Sequence, residues 1–394
     1  MRSFFLSAGV LTAVCVGMAA AQSPVAYVYV AEDQPSTTAT SPITVYAASS
    51  AGKLAQINGS PFKQTSGSMA GTNGSHFITV DQNPSTTHQY LHVYNVASNG
   101  VIGGQVSKQD LYAWCEMDEG AEFDHTGQYV YVVDAQSCGG GYQSFALSKS
   151  GYLTFEGSLT VPNAPFFTLP AFSGNNMFAY NFTPSANSQA PCPTSTFIGL
   201  GKETSGALQR ISFSETDPAP PAGYQAFQTG LVTVDPTNHV ASLVEFQDGT
   251  CGDSGIQDQL ASYTIESNGD LVSTNTSTNM PQLAGFTPPG GGTMKLNAAG
   301  NILAVTVGTG IQFFHFNGAA PITTITGVIG TSGYISTMAW DGDNHLYALN
   351  AKSGKLHVYT ATTTSVVEAP GSPYLPPNNC PAGCSQTLIV RRIP

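Results

Sequence analysis

One sequence pattern recurs seven times along the chain, with a period of about 50 residues. Each copy contains a run of alternating apolar and polar residues, a loop, a second such run, a Gly-containing turn and a further short run. The first runs span residues 27–30, 76–80, 129–133, 177–180, 241–246, 302–307 and 345–349. Repetition at this spacing is typical of folds built from similar stacked or radially arranged units. A β-sandwich also contains many short strands, but it gives no reason for seven copies in one order.

The runs predict β-strands, because they alternate with period two and are rich in Val, Thr, Tyr and Phe. Asn-Gly and Ser-Gly turns join them as hairpins. A further short strand precedes several of the first runs, as in 121–127, 293–300 and 337–343. No stretch keeps a 3.6-residue period, so helix is expected to be minor. Four strands in about 50 residues predict a propeller blade, whose strands we name a to d in chain order.

The two ends of the chain complement each other. The first copy lacks its strand a, whereas residues 386–390 form a lone apolar strand at the C-terminus. Adding this strand to the first blade closes the ring and removes an exposed sheet edge. We therefore predict an all-β fold: a seven-bladed β-propeller of four-stranded blades, closed by the C-terminal strand pairing into the first blade.

The first 21 residues resemble a secretory signal peptide. Arg2 precedes an apolar stretch over 4–18, and three alanines end at Ala21. The apolar stretch is too short for a membrane span. We expect cleavage near Ala21, a single propeller domain over 22–394, and a secreted or periplasmic location without membrane insertion.

The charge balance excludes several classes of partner. The chain has 12 basic and 24 acidic residues, a net charge of −12, and only 9% charged residues. Nucleic acids and anionic membrane surfaces are bound by clusters of Lys and Arg. We expect neither as a partner, and we expect a monomer.

Six of the seven cysteines follow the expected cleavage site, namely Cys115, Cys138, Cys192, Cys251, Cys380 and Cys384. An even number in an exported chain predicts disulfides, although six cysteines permit fifteen pairings. On the predicted propeller all six fall in b–c or blade-to-blade connections, which lie on one face that we call the loop face. Pairing neighbours gives the hypothesis 115–138, 192–251 and 380–384. Six free thiols are the alternative. A metal site is not expected, because no Cys-x-x-Cys motif is present.

Four motifs carry a resemblance to a known family. They are Tyr-Val-Tyr-Val at 27–30, Ile-Thr-Val-Tyr at 43–46, Gly-Lys-Leu at 52–54 and Gly-Ser-Pro-Phe at 59–62. At these intervals they resemble the lactonase-type seven-bladed propellers, which include 6-phosphogluconolactonase-like proteins. The resemblance implies opening of a lactone ring without metal or cofactor, by His, Glu and Arg on one face of the ring.

The arginines depart from that family pattern. Arg210 is the only arginine between the expected cleavage site and the pair at 391–392, and it falls in a predicted d strand. A His/Glu/Arg set therefore finds no residue-by-residue match. Phosphorylated substrates need Arg or Lys clamps, so a non-phosphorylated lactone is the better expectation.

The best candidate site lies in the polar loop 110–119 and its neighbours on the loop face. His88, Glu116 and Asp118 are the candidate catalytic residues, because a carboxylate and an imidazole together can activate water on a lactone carbonyl. Backbone amides around Gly140 are candidates for holding the oxyanion. The remaining candidates for ligand binding are Tyr112, Trp114 and Glu119. The alternative is a loop pinned by disulfides, with solvated acids and with Trp114 as a plug over a blade seam.

Two functions stay open at this point. One is an exported, metal-independent hydrolase of a neutral or cationic lactone. The other is a non-catalytic binding or scaffold propeller whose loop face takes a small-molecule or carbohydrate-like ligand, or a protein. Outside the loop face, His125 and His239 lie in tight turns and His92 and His357 in strands, so structural roles are expected for them.

Overall fold

A computed structural model describes residues 23–33, 40–65, 69–80, 89–111, 121–134, 141–161, 169–184, 195–248, 258–284, 292–308, 310–350, 352–376 and 385–393. These residues contain 31 β-strands and no helix. The strands form seven antiparallel four-stranded blades in a ring, as the repeats predicted.

Each blade is given by its strands in the order a to d. Blade 1 consists of β31 (Ser385–Arg392), β1 (Ala26–Asp33), β2 (Thr40–Ala48) and, sharing the d position, β3 (Leu54–Gln56) and β4 (Phe62–Thr65). Blade 2 consists of β5 (Met69–Thr72), β6 (His76–Val80), β7 (Gln89–Val96) and β8 (Ile102–Leu111). Blade 3 consists of β9 (Ala121–Phe123), β10 (Tyr129–Asp134), β11 (Gly141–Leu147) and β12 (Leu153–Thr160). Blade 4 consists of β13 (Ala171–Phe172), β14 (Phe178–Pro184), β15 (Ser195–Lys202) and β16 (Leu208–Arg210).

The extra strand β17 (Glu215–Thr216) lies in the connection that follows. Blade 5 consists of β18 (Gln225–Val234), β19 (His239–Gln247), β20 (Gln259–Ile265) and β21 (Leu271–Val272). Blade 6 consists of β22 (Met294–Leu296), β23 (Ile302–Val307), β24 (Gly310–Asn317) and, sharing the d position, β25 (Ala320–Thr324) and β26 (Ile329–Gly330). Blade 7 consists of β27 (Ile335–Trp340), β28 (His345–Asn350), β29 (Leu356–Ala361) and β30 (Val366–Glu368).

The predicted ring closure is confirmed. Strand β31 pairs antiparallel with β1, from Ser385 opposite Asp33 to Arg392 opposite Ala26. It also contacts β27 of blade 7 and β5 of blade 2. The last strand of the chain therefore supplies strand a of the first blade, and the inner edge of β1 is paired rather than exposed.

The hydrophobic core is divided among the seams between blades. One cluster joins Val28 and Tyr46 of blade 1 to Tyr347 and Val358 of blade 7, and similar clusters fill the other seams. Every residue of β6, β23 and β28 is buried. Both faces of a b strand are thus covered by neighbouring blades.

A contact between a side-chain ring and a glycine recurs between neighbouring blades. The ring at the start of a b strand packs against the c–d turn glycine of the next blade. The pairs are Tyr27 with Gly100, His76 with Gly151, Tyr129 with Gly206, Phe178 with Gly269, His239 with Gly318 and His345 with Gly52. These six glycines have φ between +63° and +97°, where a side chain is strained, and a Cβ would press against the ring.

The second aromatic residue of the b strand strengthens three of these contacts. The hydroxyl of Tyr29 donates to the carbonyl of Gly100 over 3.1 Å. Tyr131 and Tyr180 donate to Gly206 and Gly269 over 2.9 and 2.7 Å, respectively. In the Tyr-x-Tyr motif, one ring therefore packs on the turn and the other hydrogen-bonds it.

The Gly-Ser-Pro-aromatic motif forms the same turn in the adjacent blades 1 and 7. Both Ser-Pro peptide bonds, Ser60–Pro61 and Ser372–Pro373, are cis. The Ser60 hydroxyl accepts a hydrogen bond from the Val45 amide over 2.8 Å, and that of Ser372 accepts one from Val358 over 2.9 Å. Each serine thus ties its turn to the c strand of its own blade.

Candidate functional site

The predicted loop-face residues lie outside the part of the chain that the structure describes. These are His88, Tyr112, Trp114, Glu116, Asp118, Glu119, Gly140 and the cysteines Cys115, Cys138, Cys192, Cys251, Cys380 and Cys384. The predicted signal peptide, residues 1–21, also lies outside it. These assignments stay predictions.

Arg210 lies at the end of a strand, and His125 and His239 lie at a–b turns. Arg210 is exposed at the end of β16, the d strand of blade 4. His125 lies in an a–b turn, and its Nε2 is 3.1 Å from the carbonyl oxygen of Phe172 in the next blade. His239 Nδ1 is 3.2 Å from Asp235 Oδ2 within another such turn.

The strand histidines are packed, as expected. His92 Nδ1 lies 3.0 Å from Gln105 Oε1, and the His357 ring stacks on Tyr359 at 6.1 Å between centroids. Only 4% of His92 and 8% of His357 is exposed.

A pair of carboxyl groups occupies the seam between blades 4 and 5. The connection 211–224 folds back so that β17 pairs in parallel with β21, with Glu215 opposite Leu271. A second bridge, between Ser195 and Gln228, joins the two blades directly. This local structure places the side chains of Glu215 and Asp217 beside the a strand of blade 5.

The two carboxyl groups lie at one end of a connected network of hydrogen bonds. The Gln228 amide nitrogen lies 2.9 Å from Glu215 Oε1, 3.2 Å from Asp217 Oδ1 and 2.7 Å from the Tyr263 hydroxyl. Tyr263 donates its hydroxyl proton to Asp217 Oδ1 over 3.2 Å. On the far side, the Ser242 hydroxyl donates to Gln228 Oε1 over 2.5 Å.

Burial and the neighbouring acid favour the protonated form of Glu215. Burial, followed by a hydrogen bond and charge repulsion from Asp217, raises the pKa of Glu215 to about 9. Glu215 is therefore protonated at neutral pH and donates to the Asp217 carboxylate. Burial and then the two acids raise the pKa of Tyr263 well above its usual value, so its hydroxyl stays a donor.

The pair lies at the boundary between core and solvent. Asp217 is exposed and Glu215 is half-buried, whereas Gln228, Ser242 and Tyr263 are 3%, 0% and 0% exposed. The protein therefore offers a reachable carboxylate next to a protonated carboxyl, held by a buried amide and a buried phenol. This is an arrangement for general acid and base catalysis.

A second pair of acids lies farther along blade 5. Burial, followed by the charge of Glu245, raises the pKa of Asp258 to about 6. These residues flank the b–c connection of blade 5, at the ends of β19 and β20. Because Glu215 and Asp217 are hydrogen-bonded to the buried Gln228 and Tyr263, we treat them as the candidate site.

Other features of the described residues are less suited to chemistry. A cavity of about 420 Å³ lies between blades 4 and 5 and is lined by Met177, Phe178 and Ile265 among others. Its lining includes Glu266 and has no His, Cys, Lys or Arg. In the described ranges, no group of three or more His, Cys, Asp or Glu is placed to hold a metal ion. Within the same ranges, no helix is long and apolar enough to cross a membrane.

Sequence reasoning missed Glu215 and Asp217 because they lie in a proline-rich connection without strand periodicity. Two signals were present. The connection is longer than most, and it carries two of the few acids of the chain. Gln228 and Ser242 are polar residues within strands that are otherwise largely apolar, and buried polar groups usually have a partner.

Comparison with known proteins identifies the fold. No protein-family model matches the sequence, and no curated protein matches it. Among solved structures, a protein of Bacteroides uniformis provisionally named a 6-phosphogluconolactonase aligns with a TM-score of 0.62 at 10% identity. The alignment covers 92% of this chain and 100% of that one.

Two further structures agree. A protein of Lactobacillus plantarum aligns with a TM-score of 0.60 at 11% identity, over 94% of this chain and 99% of that one. One of Bacteroides fragilis, also provisionally named a 6-phosphogluconolactonase, gives 0.50 at 15% identity, over 75% and 81%. The chain has the fold of the lactonase-like propellers. At these identities the likeness concerns the fold, so the function has to be argued from the site.

Proposed function

We propose that the protein is a lactonase-like propeller that hydrolyses a non-phosphorylated lactone, with Glu215 as general acid and Asp217 as general base. One observation carries the proposal. A half-buried, protonated carboxyl group is hydrogen-bonded to an exposed carboxylate, on a fold shared with proteins that carry a lactonase name.

The two groups suffice for a balanced, metal-independent hydrolysis. Asp217 takes a proton from a water molecule, whose oxygen bonds to the lactone carbonyl carbon. The ring C–O bond then breaks, and Glu215 gives its proton to the departing ring oxygen. The product is a hydroxy acid. The proton left on Asp217 returns to Glu215 through the hydrogen bond between them.

The charge of the site favours a neutral or cationic substrate. The influences on the pKa of Glu215 are burial, Asp217 and Gln228, and no cation is among them. The whole chain carries −12. A phosphorylated or carboxylated lactone would meet like charge at the site, which costs binding energy. Export, predicted from residues 1–21, is part of the proposal and would separate the protein from cytosolic sugar phosphates.

A panel of lactones tests the proposal. Purified protein is incubated with uncharged, amino-substituted and phosphorylated lactones, and acid release is followed by titration. We expect ring opening of an uncharged or cationic member, and about a hundredfold loss in Glu215→Gln and Asp217→Asn. Glu203→Gln, an exposed acid in a turn of blade 4, is the matched control and should keep full activity. No ring opening, in an assay that scores a known lactonase, would overturn the proposal.

The second candidate function is a non-catalytic binding or scaffold propeller. It is favoured by Arg210, which is exposed at the end of the d strand β16 and is not among the groups that shift the pKa of Glu215. This function predicts that a neutral or carbohydrate-like ligand, or a protein, binds at the loop face without being altered. Calorimetry with such ligands, followed by analysis of the recovered ligand, distinguishes it from turnover.

A further inference from the structure

Ser242 does not touch either carboxyl group, yet it determines which end of the Gln228 side chain faces them. A glutamine amide has a donor end and an acceptor end, and a rotation of its terminal group exchanges them. The Ser242 hydroxyl donates to Gln228 Oε1 over 2.5 Å, so the oxygen is held on the side away from the acids. The NH₂ group is thereby directed at Glu215, Asp217 and Tyr263.

This orientation places the amide donor on both acids, and nearer to Glu215. The Gln228 nitrogen lies 2.9 Å from Glu215 Oε1 and 3.2 Å from Asp217 Oδ1, and its hydrogen bond lowers the pKa of Glu215 against the larger effects of burial and Asp217. Donors stabilise the ionised form of an acid. The Gln228 amide therefore favours ionisation of Glu215 for as long as its donor end faces that carboxyl group.

We infer that Ser242 is a positioning residue that, through Gln228, keeps an amide donor on the Glu215 carboxyl group and so makes its proton easier to release. The inference rests on the proposed function for its catalytic meaning, but the effect of Ser242 on Glu215 needs no substrate. Ser242 is 0% exposed and lies on β19, so it acts only through the amide. The titratable groups that act on the pair are Glu215 and Asp217 themselves and Tyr263.

Removing the Ser242 hydroxyl should allow the terminal amide of Gln228 to rotate. In Ser242→Ala the Gln228 oxygen loses its donor, and rotation then turns that oxygen toward Glu215 and Tyr263. Glu215 loses a donor to its ionised form, and Tyr263 is drawn away from Asp217. We expect the titration midpoint of Glu215 to rise by about one pH unit.

The test is the titration of Glu215 in the full chain, followed by ¹³C NMR of its carboxyl carbon. Ser262→Ala is the matched control, because Ser262 is also 0% exposed in blade 5 but bonds Asn275 instead of Gln228. It should leave the midpoint unchanged. Ser242→Cys, with nearly the same volume and a weaker donor, should give a smaller shift and serves if the alanine variant does not fold.

The outcomes separate the inference from the proposed function. A shift in the Ser242 variants but not in Ser262→Ala supports the inference, even if no lactone is opened. If lactones are opened, the alkaline limb of the rate profile should move with the NMR midpoint. A midpoint in both Ser242 variants equal to that of the wild type would overturn the inference, even in an active lactonase.

Discussion

Two seams, between blades 7 and 1 and between blades 4 and 5, share a contact of a ring with a glycine. They differ in the surroundings of their acidic side chains. Both have a ring packed on a turn glycine, His345 on Gly52 in the first and Phe178 on Gly269 in the second. At the 7–1 seam Asp341 is buried and is hydrogen-bonded to the buried His345 and Tyr347. At the 4–5 seam an inserted connection adds Glu215 and an exposed Asp217.

The pKa values of the acids at the two seams are shifted in opposite directions. Asp341 at the 7–1 seam accepts His345 Nδ1 over 2.7 Å and the Tyr347 hydroxyl over 2.8 Å. Burial alone would raise its pKa, but these donors hold the pKa below its usual value. At the 4–5 seam, burial and a second acid raise the pKa of Glu215. The first arrangement favours an ionised carboxylate, whereas the second favours a protonated carboxyl group.

The largest expected effect is at the 7–1 seam. Asp341→Ala leaves His345 and Tyr347 without their buried acceptor, and breaking such a buried pair costs about 3–5 kcal/mol. Urea unfolding measures the loss. Asp343→Ala, an exposed acid of the same turn, should cost little. Equal losses in the two variants would show that the buried pair does not hold this seam.

The shared glycine contact should give similar losses at both seams. Gly52→Ala and Gly269→Ala introduce a Cβ at φ of +75° and +92°, within 2.9 and 2.8 Å of the nearest side-chain atom. Strain and overpacking together predict a loss of about 2–4 kcal/mol each. Gly104→Ala, where a Cβ meets nothing within 4 Å, is the control for thermal or urea unfolding. If only one of the two variants is destabilised, the seams do not share the contact.

A pH-dependent effect that is lost toward alkaline pH should appear at the 4–5 seam. The pKa of Glu215 rises from 4.5 to about 9 on folding, so the folded state binds an extra proton between these values. The resulting stability is fully present below pH 4.5 and is lost as the pH rises through about 9. In Glu215→Gln the loss should disappear, whereas in Glu203→Gln it should persist. Unfolding free energies measured across this range check it, and parallel curves for all three proteins would contradict it.

The sequence was sufficient to predict the propeller, because its strands repeat with a fixed order and its C-terminal strand matches a gap in the first blade. The Gly-Ser-Pro-Phe motif at 59–62 was visible in the sequence, but the contacts of its turn were not. The carboxyl pair was not predictable in the same way. Glu215 meets Gln228 and Tyr263 only because β17 pairs with the distant β21, and no local periodicity encodes that pairing.

The protonation of Glu215 at neutral pH, beside Asp217, is the property on which the proposed chemistry depends. The most direct measurement is the ¹³C NMR titration of the Glu215 carboxyl carbon in the wild-type chain. The account predicts a midpoint near 9, and a lower midpoint in Asp217→Asn, since the repelling charge is then removed. A wild-type midpoint near 4.5, the value of an unperturbed glutamate, would contradict it.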